Sequence, residues 1–210
     1  QMLALLAAAG IKPGANRFED LPVAVQQRLD AALQTKQQEY LAAFYQGTAQ
    51  RESWTFNREQ MGVWGTDYEH RAYWAMWGLG ANLVEDAVYG VTQLDTQLQP
   101  LRGESVYRLR FPAGQTPPTS AFWSVTAYDI EGYLEANDQH RYSLGSHHDL
   151  QYNADGSLDL HLSARRPANE TVNWVPTPAA EFKVLLRIYW PGAEVLDGTW
   201  QIPALEAVVP

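Results

Sequence analysis

The chain has 210 residues, of which 46% are apolar and 19% charged, a composition that excludes general disorder and a length that lets about 70% of the extended surface be buried. With 24 acidic against 15 basic residues the net charge is −9, which disfavours nucleic acid and anionic membranes as partners. No cysteine is present, so disulfides, thiol nucleophiles, iron–sulfur clusters and cysteine zinc sites are excluded. No apolar run reaches the roughly 18 residues of a membrane span. The run from Met2 to Ile11 is too short and lacks the basic leader of a signal peptide.

The first third reads as helix. Met2 to Ala9 forms a short helical stretch ended by Gly10, and Pro13-Gly14 breaks the chain. The next helix starts near Asp20, a residue able to cap free backbone N–H groups, with Pro22 in the first turn where a missing donor costs nothing. Val25, Leu29, Ala32, Leu33, Tyr40, Ala43 and Phe44 recur at helical spacing against a polar face, and Gly47 is a left-handed stop. The helix so defined is about 25 residues long. A polar loop from Arg51 to Gly65 leads to a second helix from Asp67 to about Ala87, with Tyr68, Ala72, Met76, Leu79 and Leu83 on one stripe. Tyr73, Trp74 and Trp77 widen that stripe nearly all round, so this helix is expected to be buried between two layers.

Past Gly90 the period changes from 3.6 to 2. Ser105 to Pro112 sets Tyr107, Leu109 and Phe111 against Val106, Arg108 and Arg110; Ala121 to Asp129 sets Trp123, Val125 and Ala127 against Phe122, Ser124, Thr126 and Tyr128. Leu150 to Tyr152, the turn Asn153-Ala154-Asp155-Gly156 and Leu158, Leu160, Leu162 read as a hairpin. Phe182 to Trp190 is the best single strand, with Phe182, Val184, Leu186, Ile188 and Trp190 inward and Lys183, Arg187 and Tyr189 on the other side. The fold class is therefore α+β. A small helical domain spans residues 1–63, and an antiparallel β-sandwich or jelly roll with a leading buried helix spans 64–210.

Five separated blocks carry a resemblance. Ala121-Phe122-Trp123-Ser124-Val125-Thr126 with Tyr128-Asp129, then Arg141-Tyr142-Ser143, then Asn153 with Asp155-Gly156-Ser157-Leu158, then Asn173-Trp174-Val175-Pro176, then Leu186-Arg187-Ile188-Tyr189 with Trp190-Pro191 occur in one order. In that order they resemble the bacterial domain-of-unknown-function family 1214 over about residues 64–208. Gly10-Ile11-Lys12-Pro13-Gly14 and the long helix after it are similar to the segment that links this family to an N-terminal immunoglobulin-like domain, family 1254. That partner domain is missing from this chain, which begins at Gln1 and so reads as a truncated or processed product or a short relative. The resemblance implies a jelly roll beside a small helical domain, and it implies no activity. The bacterial envelope is favoured over the cytoplasm as its compartment.

Three groups of residues carry possible chemistry. Eight tryptophans and eleven tyrosines exceed the needs of a sandwich core and suit a surface that is apolar on one side and wet on the other, as for a carbohydrate or amphiphile. Trp123, Trp190 and Trp200 are assigned to the core, while Trp174 beside Asn173 is divided between core and loop surface. Arg71, near Tyr68, and Arg187, near Tyr189, each need acceptors; an internal pair with Asp67, Asp129 or Glu131 is weighed against capture of a ligand carboxylate or phosphate. His140, His147, His148, Asp149 and His161 are weighed as a metal site against a solvated loop, and the loop is preferred. No cofactor is implied, and neither a nucleotide-binding loop nor a serine-hydrolase elbow is present.

The leading expectation is a ligand-binding or scaffolding module with a cleft lined by Tyr68, Arg71, Asn173, Trp174, Arg187 and Tyr189. One alternative is a hydrolase using Asp129 and Glu131, or the cluster His147, His148 and His161. The other is a structural domain that assembles homo-oligomers.

Overall fold

The computed structural model describes residues 2–8, 17–48, 53–56, 61–168 and 172–208. The chain divides into two compact units, Gln1–Gln50 and Arg51–Pro210. The first unit holds α1 (Met2–Ala8), a single 3-10 turn at Phe18–Asp20 and α2 (Val23–Thr48). Pro22 stands just before α2, and its carbonyl accepts the amides of Val25 and Gln26. The proline thus contributes an acceptor to the first turn where it has no donor to lose. Leu21 is the only buried side chain described in this unit. The expected breaks at Gly10 and Pro13-Gly14 lie outside the described residues.

The second unit begins with β1 (Thr55–Phe56) and α3 (Tyr68–Trp77). Asp67 caps α3 by accepting the His70 amide at 3.0 Å. The helix stops ten residues short of the expected Ala87. Gly78 donates a last amide to the Trp74 carbonyl, and Gly80 then turns the chain at φ +81°. The expectation of a buried helix is also corrected: Tyr68, Met76 and the following Leu79 are exposed. Residues 78–86, expected to prolong α3, form turns and irregular chain instead, and β2 (Ala87–Thr92) starts where the helix was expected to end.

The remaining strands are β3 (Val106–Phe111), β4 (Thr119–Asp129), β5 (Leu144–Gly145), β6 (Leu158–Ser163), β7 (Trp174–Pro176), β8 (Phe182–Pro191) and β9 (Glu206–Val208), with the one-turn helix α4 (Ala193–Leu196) between the last two. They make a five-stranded sheet ordered β1-β2-β8-β4-β5 and a four-stranded sheet ordered β7-β6-β3-β9. Every pair is antiparallel except β6 with β7, which is parallel.

Period-2 alternation explains how the sheets share a core. Phe182, Val184, Leu186 and Ile188 of β8 and Trp123 and Val125 of β4 point inward from the first sheet; Tyr107, Leu109, Phe111, Leu158, Leu160 and Leu162 point inward from the second. The rings of Phe111 and Trp123 meet at 5.5 Å and those of Tyr107 and Phe182 at 5.7 Å, so the two inner faces interdigitate. Trp200 is buried as expected, with Nε1 donating to the Gln115 carbonyl.

Two strand expectations are corrected. Trp190, assigned to the core by alternation, is 61% exposed. Its backbone lies in the left-handed region at φ +49°, which breaks the alternation at the end of β8. The Asn153–Gly156 turn forms, with Gly156 at φ +79° and Asn153 N–H bonded to the Ser157 carbonyl at 2.8 Å, but Leu150 to Tyr152 is no strand. Both edges of β6 are already taken, by β3 and β7, so no ladder is left for it. No helix of the described residues is long and apolar enough to cross a membrane.

Candidate functional site

The outward residues of the first sheet gather the aromatic and cationic side chains that the inner face excludes. On β8 the outward set is Lys183, Leu185, Arg187 and Tyr189, and on β4 it is Phe122, Ser124, Thr126 and Tyr128. Pairing register places Arg187 between Tyr89 of β2 and Ser124 of β4, and Tyr189 between Ala87 and Phe122. Arg187 is therefore central on this face, with aromatics on three sides.

The rings form a row across the strands. Tyr189 and Phe122 stack at 4.6 Å and 17°, His147 lies against Phe122 at 4.8 Å and 42°, and Tyr89 meets Tyr189 edge-on at 6.3 Å and 80°. His147 reaches Phe122 because β5 runs close beside β4 at Gly145, where a side chain would run into the Trp123 carbonyl. Ser146 locks that pairing: its Oγ accepts the Trp123 amide at 3.1 Å, and its own amide donates to the Trp123 carbonyl at 3.1 Å. At the other end of the row Asn82 Nδ2 donates to the Tyr89 hydroxyl at 2.9 Å, and that hydroxyl donates to Tyr189 at 3.5 Å. Burial, and then the neighbouring Tyr189 hydroxyl, push the Tyr89 phenol up to about 12, so it stays protonated and a donor at neutral pH.

Arg187 is held by neutral groups. Nη1 donates to Thr126 Oγ1 at 3.2 Å and Nη2 to the Tyr128 hydroxyl at 2.6 Å, with the guanidinium carbon 5.4 Å from the Tyr128 ring centroid. No carboxylate stands within ion-pairing distance of it among the described residues. The outer face of the second sheet is different. There Arg108 pairs with Glu206 at 2.6 Å, and Arg110 pairs with Asp155 at 3.0 Å and Asp159 at 3.1 Å. Ion pairing is thus the rule for the other two sheet arginines.

Of the six residues expected to line the cleft, Arg187 and Tyr189 share this face and the other four lie elsewhere. Tyr68 and Arg71 are exposed on α3, and no hydrogen bond, ion pair or ring contact joins them to Arg187 or Tyr189 among the described residues. Trp174 is buried in the second sheet, where Nε1 donates to the Ser163 carbonyl at 3.0 Å. Asn173 is equally committed: it accepts the Gln151 amide at 2.8 Å and donates to the carbonyls of Gln151 at 2.7 Å and Asp159 at 2.9 Å. It fastens the 150–152 segment that the ladder does not hold.

Asp129, weighed as a partner for Arg187 and as a catalytic acid, spends Oδ1 on the amides of Gly132 at 2.7 Å and Tyr133 at 2.8 Å. It braces the turn after β4, while Glu131 is exposed. The histidine cluster is not assembled. His147 lies on the first sheet, His148 Nδ1 is 3.2 Å from the Gly145 amide within its own turn, and His161 belongs to the second sheet beside Trp174. Burial holds the His161 imidazole below its ordinary range. No group of three or more potential metal ligands occurs among the described residues.

Phe122, Thr126, Tyr128, Tyr89 and Asn82 complete the face and were not singled out as site residues from the sequence, while His147, weighed there only as part of a histidine cluster, joins the face against Phe122. Alternation already put Phe122, Thr126 and Tyr128 on one side of β4. Which strands flank β8 is a long-range fact that no local pattern carries.

The sequence profile of the family described as "Protein of unknown function (DUF1214)" matches residues 86–193, just over half of the chain. Among solved structures the chain is similar to the VPA0106 protein of Vibrio parahaemolyticus, at 24% identity and a TM-score of 0.68 over 100% of this chain and 51% of that one. The chain thus spans about half the length of that relative, and the likeness is one of fold. A putative uncharacterized protein from Burkholderia cenocepacia aligns at 22% identity and a TM-score of 0.39, over 59% of this chain and 29% of that one. None of the curated proteins matches.

Proposed function

The chain belongs to the family of proteins of unknown function DUF1214, and for it we propose a ligand-binding role: the outer face of the first sheet, in a sandwich of jelly-roll kind, receives a small amphiphilic molecule by its anionic group. The observation that carries this reading is the guanidinium of Arg187, held by two neutral hydroxyls with no carboxylate beside it among the described residues. A partly buried cation without counter-charge is unfavourable, and an incoming carboxylate or phosphate relieves that cost. A guanidinium has five N–H donors; with two engaged, three remain for a two-bond fork on an anion. The ring row beside it supplies apolar surface for the rest of the ligand.

The test is thermal stabilisation of the full chain and of Arg187→Met by sodium acetate, sodium benzoate, inorganic phosphate and glucose. At ten times the dissociation constant a bound anion adds about 1.4 kcal/mol, or roughly 3–6 °C in midpoint. At least one anion should do this in the parent and none in Arg187→Met. Anions without effect on the parent, or glucose acting equally on both proteins, would overturn the reading.

A further inference from the structure

Resting on that anion-binding reading, we infer that the ligand is an aromatic monocarboxylate, its ring lying across the ring edges of Tyr189 and Phe122 and its carboxylate in the fork of Arg187. The stacking decides the class. Phe122 of β4 stacks with Tyr189 of β8 at 4.6 Å and has the tilted His147 ring, which follows β5 on the other flank of β4, at 4.8 Å, while Tyr189 meets Tyr89 of β2 edge-on, so the rings crowd one another along the strand order. What the row offers a ligand is ring edges. An aromatic edge is the positive end of the ring quadrupole and its face the negative end. Edges attract the π-face of another aromatic ring in a T-shaped contact, whereas the C–H groups of a saturated sugar stack on free ring faces. Edges and guanidinium together favour an electron-rich, flat, anionic partner.

Charge and spacing narrow the class. Lys183 is the other cation on this face of β8, but its Nζ donates to the Ile130 carbonyl at 3.3 Å and the Asp129 charge acts on it. One uncompensated charge remains, which matches one carboxylate. Tyr189 lies two residues from Arg187 on the same strand face, about 6.6 Å along β8. That separation suits a carboxylate carried on the ring itself or one carbon away.

The experiment is calorimetric titration of the full chain with sodium benzoate, sodium phenylacetate, sodium glucuronate, sodium acetate and inorganic phosphate, repeated on Arg187→Met, Tyr189→Leu and Phe122→Leu. In the parent, benzoate or phenylacetate binds about tenfold tighter than acetate and glucuronate, the factor expected of one aromatic pair. Tyr189→Leu or Phe122→Leu brings the aromatic acids down to the acetate level and leaves acetate unchanged, while Arg187→Met abolishes both. If acetate, glucuronate or phosphate binds the parent as tightly as the aromatic acids, and Arg187→Met removes that binding, the anion site stands and the aromatic inference falls. If no anion binds, both fall. The parent comparison decides the matter even where a variant fails to fold.

Discussion

Replacing Gly145 with alanine should loosen the edge of the first sheet and, with it, the end of the aromatic row. An added Cβ would meet the Trp123 carbonyl and stand 2.7 Å from Ser124 Cα. Both are backbone atoms in the middle of β4, so neither can turn aside, and β5 must retreat by on the order of 1 Å to restore normal contact. The retreat breaks the two bonds by which Ser146 grips Trp123, each worth about 1 kcal/mol net. It also lifts His147 from Phe122, a ring pair worth about 0.5–1 kcal/mol. The expected loss is therefore about 2–3 kcal/mol, or roughly 4–12 °C in the midpoint of the second unit. Tryptophan fluorescence is the assay, because all eight tryptophans lie between Trp54 and Trp200 and none belongs to the Gln1–Gln50 unit. A Gly145→Ala protein unfolding within about 0.5 kcal/mol of the parent would refute the steric argument and the placement of His147 that depends on it.

Trp190→Gly should be more stable than Trp190→Ala by about 1 kcal/mol, because the left-handed backbone penalises any Cβ; the reverse order in denaturant titrations would mean the strain is absent. Asn173→Ala should cost about 2–4 kcal/mol in urea unfolding, since it orphans the Gln151 amide and two carbonyls at once; a loss below about 1 kcal/mol would show that the 150–152 segment is held by something else. His161 is depressed by burial, so over the pH range below the ordinary histidine value of about 6.5 the unfolded chain binds a proton that the folded chain refuses. Stability therefore falls as pH drops through that window, and His161→Gln should lose less between about pH 7.5 and 5.5 than the parent does. Equal losses in the two proteins would contradict this.

The sequence is most readable where a strand has one wet and one dry face. β3, β4 and β8 appear within two residues of their expected ends, and the outward placement of Arg187 and Tyr189 follows from alternation alone. Alternation fails at Trp190 because a left-handed residue resets which side the chain presents, and a bulky aromatic gives no warning of that conformation. The apolar run around Tyr73, Trp74 and Trp77 suggests burial, yet α3 ends early, because Gly78 and Gly80 break it and the β-rich run Val88-Tyr89-Gly90-Val91 joins the sheet. The expected cleft joined residues that the fold assigns to different elements: Trp174 and Asn173 stabilise the second sheet, while Tyr89 and Phe122, brought beside Arg187 by strand pairing, furnish the aromatic surface. Local pattern sets which face a residue occupies; only the register sets its neighbours.

The most direct measurement follows the Nε–H signal of Arg187 by NMR, assigned by its loss in Arg187→Met, as sodium benzoate is added to the full chain. The account predicts a saturable shift of that signal, with those of Arg108 and Arg110, already paired with carboxylates, moving far less. An Arg187 signal that stays in place, or moves only in step with the other two, would contradict it.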